Sequence, residues 1–122
     1  MSALDPRVIK LLADIYTSAK RAVNHLQDET LEGFISEAGM DVQDIIARRL
    51  TIIGEAAAAL LKKHSAFCEQ HPEIPLRLAR GTRNILVHEY DGVDWEAVWD
   101  TVQNKLPQLI DAIEPFLSKK PY

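Results

Sequence analysis

A chain of 122 residues is long enough for one domain that buries roughly two-thirds of its unfolded surface and too short for two ordinary ones, so residues 1–122 read as a single unit. With 47 % hydrophobic and 26 % charged residues the composition excludes a disordered tail and a membrane-embedded chain, and three Phe, three Tyr and two Trp are few for a β-sandwich. The formal charge of -4 excludes coating of nucleic acid by bulk electrostatics, so any RNA contact must be local.

The first periodic segment opens at Asp5-Pro6, where Asp can cap free amides and Pro suits a first helical turn. Val8, Leu11, Leu12, Ile15, Ala19, Ala22, Val23 and Leu26 then recur at helical spacing. His25 falls near the end of this helix, where a cation suits the dipole, and it carries no assigned chemistry. A short piece with Leu31, Phe34 and Ile35 stops around Gly39, and Asp41 starts a second long helix lined by Val42, Ile45, Ile46, Leu50, Ile53, Ala57, Leu60 and Leu61, ending near Lys63-His64. Gly54 lies inside that helix. A mid-helix Gly costs about 1 kcal/mol relative to Ala unless another backbone approaches closely, so tight packing is expected there.

His71 to Pro75 form a Pro-bounded loop, and a third helix is expected from near Pro75 toward Tyr90. Asp91-Gly92 signals a turn, and Asp94 caps a last helix with Trp95, Val98, Trp99, Val102 and Leu106. Pro107 interrupts it, and Leu109, Ile110, Ile113, Phe116 and Leu117 continue the stripe, as one kinked helix or two in series. The expected architecture is all-α, an antiparallel bundle of four to five helices.

Phosphate-loop, nucleophile-elbow and zinc-helix patterns are absent from the sequence. The single cysteine, Cys68, cannot form an internal disulfide; with no apolar leader or span, an intracellular, cytoplasmic protein is expected. His64 and His71 flank Cys68 but complete no four-ligand set, so they read as solvent-exposed loop histidines, and no metal or cofactor is expected. The informative stretch is 77–90. Arg77, Arg80 and Arg83 recur at steps of three and are followed by Asn84, His88 and Tyr90. Arginine offers fixed charge in a planar fork suited to phosphate, and histidine can move protons both ways near neutrality. Together they are the minimum for metal-free phosphodiester chemistry, although a polar helix end with a Leu78, Ile85, Leu86 stripe also fits an ordinary core helix.

Residues 83–90, Arg-Asn-Ile-Leu-Val-His-Glu-Tyr, resemble the Arg-Asn-x-x-x-His-x-Tyr motif of the HepT-like branch of the HEPN superfamily, helical ribonucleases that act as toxins beside an MNT-type nucleotidyltransferase antitoxin. The segments Ile53-Gly54-Glu55-Ala56-Ala57, His71-Pro72-Glu73-Ile74-Pro75, Tyr90-Asp91-Gly92-Val93-Asp94 with Val98-Trp99, and Leu106-Pro107-x-Leu109 are similar to further family segments in the same order. Leu76 stands where many members have Trp, and Thr82 where Met usually precedes the Arg-Asn pair; both are packing positions by type.

The resemblance implies an RNA-cleaving homodimer whose motifs face each other across a cleft. On a straight α-helix, Arg83 and His88 would be separated by about 140° and about 7.5 Å of rise, so either the helix ends between them or two subunits combine their motifs. His88 is the implied proton-transfer group, Arg83 the holder of developing phosphorane charge, and Asn84 a hydrogen-bond donor or loop anchor. Tyr90 is the implied site of AMP transfer by the antitoxin, and Arg77, Arg80, Lys62 and Lys63 are candidates for guiding the RNA backbone, or ordinary solubilising charge. Two other readings stay open: a noncatalytic helical module presenting a substrate to a separate nucleotidyltransferase, and an inactive dimeric scaffold.

Overall fold

The computed structural model describes residues 4–86 and 92–117. Helix α1 spans Pro6–Leu26, α2 Leu31–Ile35, α3 Met40–Lys63, α4 Ser65–Gln70, α5 Leu76–Gly81, α6 Trp95–Asp100 and α7 Leu106–Leu117; no strand occurs among the described residues. The helix starts follow the capping chemistry. The Asp5 carboxylate accepts the Arg7 amide at 2.8 Å ahead of Pro6, Thr30 Oγ1 accepts the Gly33 amide at 3.0 Å, and Asp94 accepts the Ala97 amide at 3.1 Å. Gly92 precedes that last cap with φ of 77°, a left-handed conformation that glycine adopts without a Cβ penalty. No helix of the described residues is long and apolar enough to cross a membrane.

The long helices α1 and α3 form the spine and run antiparallel. Arg7, Lys10 and Leu11 at the start of α1 share a groove with Ala59, Lys63 and His64 at the end of α3, while Ser18 further along α1 meets Arg49 earlier in α3, with Nη1 to Oγ at 3.4 Å. Their facing stripes keep a strict three–four spacing: Leu12, Ile15, Ala19, Ala22 and Leu26 from α1, and Ile46, Leu50, Ile53, Ala57 and Leu60 from α3, all buried. Leu106, Leu109 and Ile113 of α7 close the core. Each Leu or Ile so buried contributes about 1.5–3 kcal/mol. At one end Phe34 of α2 packs against Trp95 and Trp99, with ring centroids 5.8 and 5.7 Å away. Buried Gln43 donates from Nε2 to the Phe34 carbonyl at 2.8 Å and satisfies the end of α2.

Two details differ from expectation, and at Pro107 the choice between one helix and two is decided. The stretch between His64 and His71 is a helix, α4, and His71 is not a solvent-exposed loop histidine. Its ring lies 4.7 Å from that of Phe67 and 4.9 Å from that of Phe116, and its Nδ1 is 3.1 Å from Glu73 Oε2. Phe67 of the preceding helix and Phe116 from the far end of the chain hold it, and no local pattern announces the second contact. Beyond Gly81 the helical path tightens into a 3-10 turn over Thr82–Leu86, in place of a continued α-helix. Near Pro107 the last helix is continuous: α6 passes into α7 through a π turn at Thr101–Lys105, where the Leu106 amide reaches the Thr101 carbonyl five residues back. Widening the turn just ahead of Pro107 relieves the crowding its ring imposes and accommodates the missing amide.

Candidate active site

Two interleaved stripes build the arginine segment. Leu76, Ala79 and Thr82 recur at steps of three and are buried against α3; Arg77, Arg80 and Arg83 follow them by one residue and are exposed. A step of three drifts around an α-helix but eclipses in a 3-10 turn, so tightening at Thr82 keeps the buried and cationic stripes in phase through Arg83. Asn84 is exposed one residue on, and Ile85 and Leu86 pack partly against the core. None of the three arginines forms an ion pair with another described residue.

Arg83 is held from two sides. Thr82, 3 % exposed, shares its hydroxyl proton between the Leu50 carbonyl of α3 at 3.0 Å and the Ala79 carbonyl at 2.8 Å, which ties the 3-10 turn to the spine. A Cβ placed on Gly54 would meet Cβ and Cγ of Arg83 at 3.1 Å each and the Arg80 carbonyl at 3.3 Å. The missing side chain of Gly54 is therefore the space in which the Arg83 stem lies. This is the close approach expected at Gly54, and its partner is the motif arginine. With the stem seated and the head exposed, the guanidinium is presented as a fork at a defined place, free to grip an anion.

Other candidates fall elsewhere. Arg77 continues the arginine stripe and lines a cavity of about 510 Å³ with Leu61, Ser65, Cys68, Ile74 and Leu76. Burial pushes the Cys68 thiol up from its ordinary value. Lys62 and Lys63 are exposed in the last turn of α3. Lys63, nine residues after Gly54, is turned about half a revolution from it and lines the groove of about 460 Å³ with Arg7, Lys10 and His64. The structure thus seats the Arg83 stem and the Arg80 carbonyl over Gly54, keeps Arg77, Arg80 and Arg83 on one exposed stripe, and puts Lys63 on the far side of α3. His88 and Tyr90 lie outside the described residues. His64, Cys68 and His71 do not form a ligand set; no three His, Cys, Asp or Glu side chains gather around a metal-sized site among the described residues.

Sequence reasoning read Gly54 and Thr82 only as packing positions. The interleaved step of three from Leu76 to Arg83 was the available signal for the clamp at Thr82; nothing local names Arg83 as the neighbour of Gly54.

Known proteins resemble this chain over most of its length. The model of the family described as Ribonuclease HepT-like matches residues 15–116. A Methanocaldococcus jannaschii protein named "Putative RNase MJ0127" is 31 % identical over 106 residues, covering 87 % of this chain and 84 % of that protein. A Thermococcus cleftensis protein named "Probable ribonuclease HepT" is 33 % identical over 98 residues, covering 80 % and 84 %. A Caldanaerobacter subterraneus protein named "Putative RNase TTE0752" is 37 % identical over 73 residues, covering 60 % and 62 %. No solved structure matches the chain. With its all-α bundle and a family match over most of its length, the chain belongs to the ribonuclease HepT-like family of HEPN-type ribonucleases.

Proposed function

We propose that the protein is a metal-independent endoribonuclease toxin that cuts RNA through its own 2′-hydroxyl, acting as a homodimer. The observation that carries this reading is the seating of Arg83: its stem fills the space left by Gly54 while the residue stays exposed on the same stripe as Arg77 and Arg80. RNA contains its nucleophile, so cleavage requires two proton movements and a clamp for the charge on the phosphorane. His88 takes the 2′-hydroxyl proton as that oxygen bonds to phosphorus, or protonates the departing 5′-oxygen as its bond to phosphorus breaks; the two-fold assembly supplies two such imidazoles. Arg83 stabilises the non-bridging oxygens, and Asn84 donates a hydrogen bond or fixes the turn. Arg77, Arg80 and Lys62 would lead the backbone toward it, with Lys63 engaging RNA only beyond the far edge of α3.

Regulation in this reading comes from an MNT-type nucleotidyltransferase antitoxin. It moves AMP from ATP onto the Tyr90 hydroxyl with release of pyrophosphate, and the added charge and bulk block RNA at the motif. The test is cleavage of total RNA with end-group analysis. Fragments ending in 2′,3′-cyclic phosphate and starting with 5′-hydroxyl, lost in His88→Ala, are expected; full cleavage by that variant removes His88 from the mechanism. Mass spectrometry after coexpression with a neighbouring nucleotidyltransferase checks for AMP on Tyr90.

A further inference from the structure

The cavity at the start of α5 has no part in the cleavage chemistry, yet Arg77 on its rim belongs to the cationic stripe. It measures about 510 Å³, a size that takes a small organic ligand, and it opens between α4, the proline loop and the first turn of α5. Ile74 and Leu76, each 3 % exposed, floor it, and the rings of Pro72 and Pro75 wall it. The walls are set in advance. Each proline fixes its own φ, the His71 ring at the start of the loop lies against Phe67 and Phe116, and the Ile74 amide donates to the His71 carbonyl at 3.1 Å. A cavity braced in this way receives a flat apolar body without being reshaped.

Two opposite charges share the rim. Glu69 of α4 and Arg77 of α5 both line the cavity and both are exposed, yet neither forms an ion pair with the other or with another described residue. Arginine alone would suit a phosphate, but a carboxylate beside it repels phosphate and accepts only N–H or O–H groups. Cation, apolar floor and carboxylate together match a ligand with an anion, a flat body and an edge of donors, which is the order of parts in a nucleotide. Among the bases, guanine alone sets two donors side by side, N1–H and the N2 amine, so that both oxygens of one carboxylate can accept from it. Adenine and cytosine offer one amine beside an acceptor, and uracil one N–H between two carbonyls.

The cavity is also within reach of the cut. Arg77 precedes Arg83 by six residues on one exposed stripe, about 9 Å along the axis. A stacked strand advances about 3.4 Å per nucleotide, so phosphates at these two arginines are about two or three nucleotides apart. We propose that the cavity is a guanine subsite for the RNA strand: Arg77 holds the phosphate at its mouth, the base lies over Ile74 and Leu76, and Glu69 accepts from N1–H and the N2 amine. The subsite deepens the ribonuclease reading and rests on it only for the identity of the strand. It would add base selection to a row of arginines that grips phosphate without regard to sequence.

Strands of 2′-O-methyl nucleotides separate binding from cleavage, because their blocked hydroxyl cannot attack phosphorus. By fluorescence anisotropy, a uridine octamer with one guanosine should bind about tenfold tighter than the plain octamer, and inosine, which lacks the N2 amine, should lose most of that gain. Glu69→Gln exchanges one acceptor oxygen for a donor amide, and Leu76→Trp puts an indole into the floor; each should bring the two octamers to within about twofold of one another. Circular dichroism checks folding, and the exposed position of Glu69 keeps the test decisive should Leu76→Trp misfold. Cys68, the one cysteine of the chain, lines the same cavity, so the guanosine strand should slow its alkylation by iodoacetamide more than the uridine strand does. Equal binding of the two octamers, a guanosine preference that survives Glu69→Gln, or alkylation indifferent to guanosine overturns the subsite. Guanosine 5′-monophosphate that binds as tightly as the strand overturns its assignment to RNA. Cleavage of total RNA followed in parallel distinguishes the two failures: cleavage by a chain without guanosine preference refutes the subsite alone, and guanosine preference without cleavage refutes the ribonuclease reading alone.

Discussion

The α1–α3 spine and the arginine segment are built on different principles. The spine meets along long apolar stripes in which Leu12, Ile15, Leu50 and Ile53 are fully buried, so its position is fixed by many interchangeable contacts. The segment from Leu76 to Leu86 consists of one short helix and a 3-10 turn, and its alignment on α3 depends on the Thr82 hydroxyl and the vacancy at Gly54. Redundant contacts give stability, and a few specific ones give position. Substitutions should therefore separate: in the spine they should lower stability more than turnover, and around the segment they should lower turnover more than stability.

The largest effect is expected at the motif itself. His88→Ala should reduce cleavage by about 10²–10⁴-fold with an unchanged thermal midpoint; loss of folding along with activity would erase the contrast. Leu50→Ala should do the reverse, costing about 2–5 kcal/mol in urea unfolding through the cavity it leaves while the folded fraction still turns over, because the Leu50 carbonyl that accepts from Thr82 is retained. Thr82→Val keeps the shape and removes the shared hydroxyl proton. It should cost about 1–2 kcal/mol, and it sharpens the comparison if cleavage falls further than that loss of stability explains.

Gly54→Ala is the finest probe. The new methyl gains up to about 1 kcal/mol of helix propensity and meets the Arg83 stem at 3.1 Å, so net stability should change by less than about 1 kcal/mol. Displacing the guanidinium by even a fraction of an ångström should still lower turnover by about tenfold. The smallest effect belongs to the cap of α1. The Arg7 guanidinium and amide hold the Asp5 carboxyl down at about 2. The folded value lies below the ordinary 3.8, so the contribution of Asp5 is complete above about pH 4 and disappears as pH falls through 2. A thermal midpoint that declines below pH 4, with a shallower decline in Asp5→Ala, is the expected result.

The spine was legible because its evidence is local: Val8 to Leu26 and Val42 to Leu61 display the helical period over several turns, and Asp5, Asp94 and Pro6 mark starts. Helix α4 was not. Six residues display less than two turns of pattern, and what organises them is Phe116, which arrives from the other end of the chain. The 3-10 turn and the π turn were also hidden, since Pro107 announces a disturbance without saying whether the helix breaks or widens. At the site, the residue types Arg83 and Asn84 could be picked out by their chemistry, but the seat of Arg83 depends on a glycine 29 positions earlier, and sequence separation conceals such a pairing.

The π turn also governs which changes of chain length the last helix can absorb. A widened turn holds one residue more than α geometry needs for the same rotation. Deleting Gln103 or Asn104, both exposed, lets that turn contract while Trp99 upstream and Leu109 downstream keep their bearings on Phe34 and the core. A deletion in α7 ahead of Leu109 swings everything beyond it by about 100° and turns Leu109 and Ile113 toward water. One loop of slack, set just ahead of a proline, makes this the place where a mostly inflexible helix tolerates an indel.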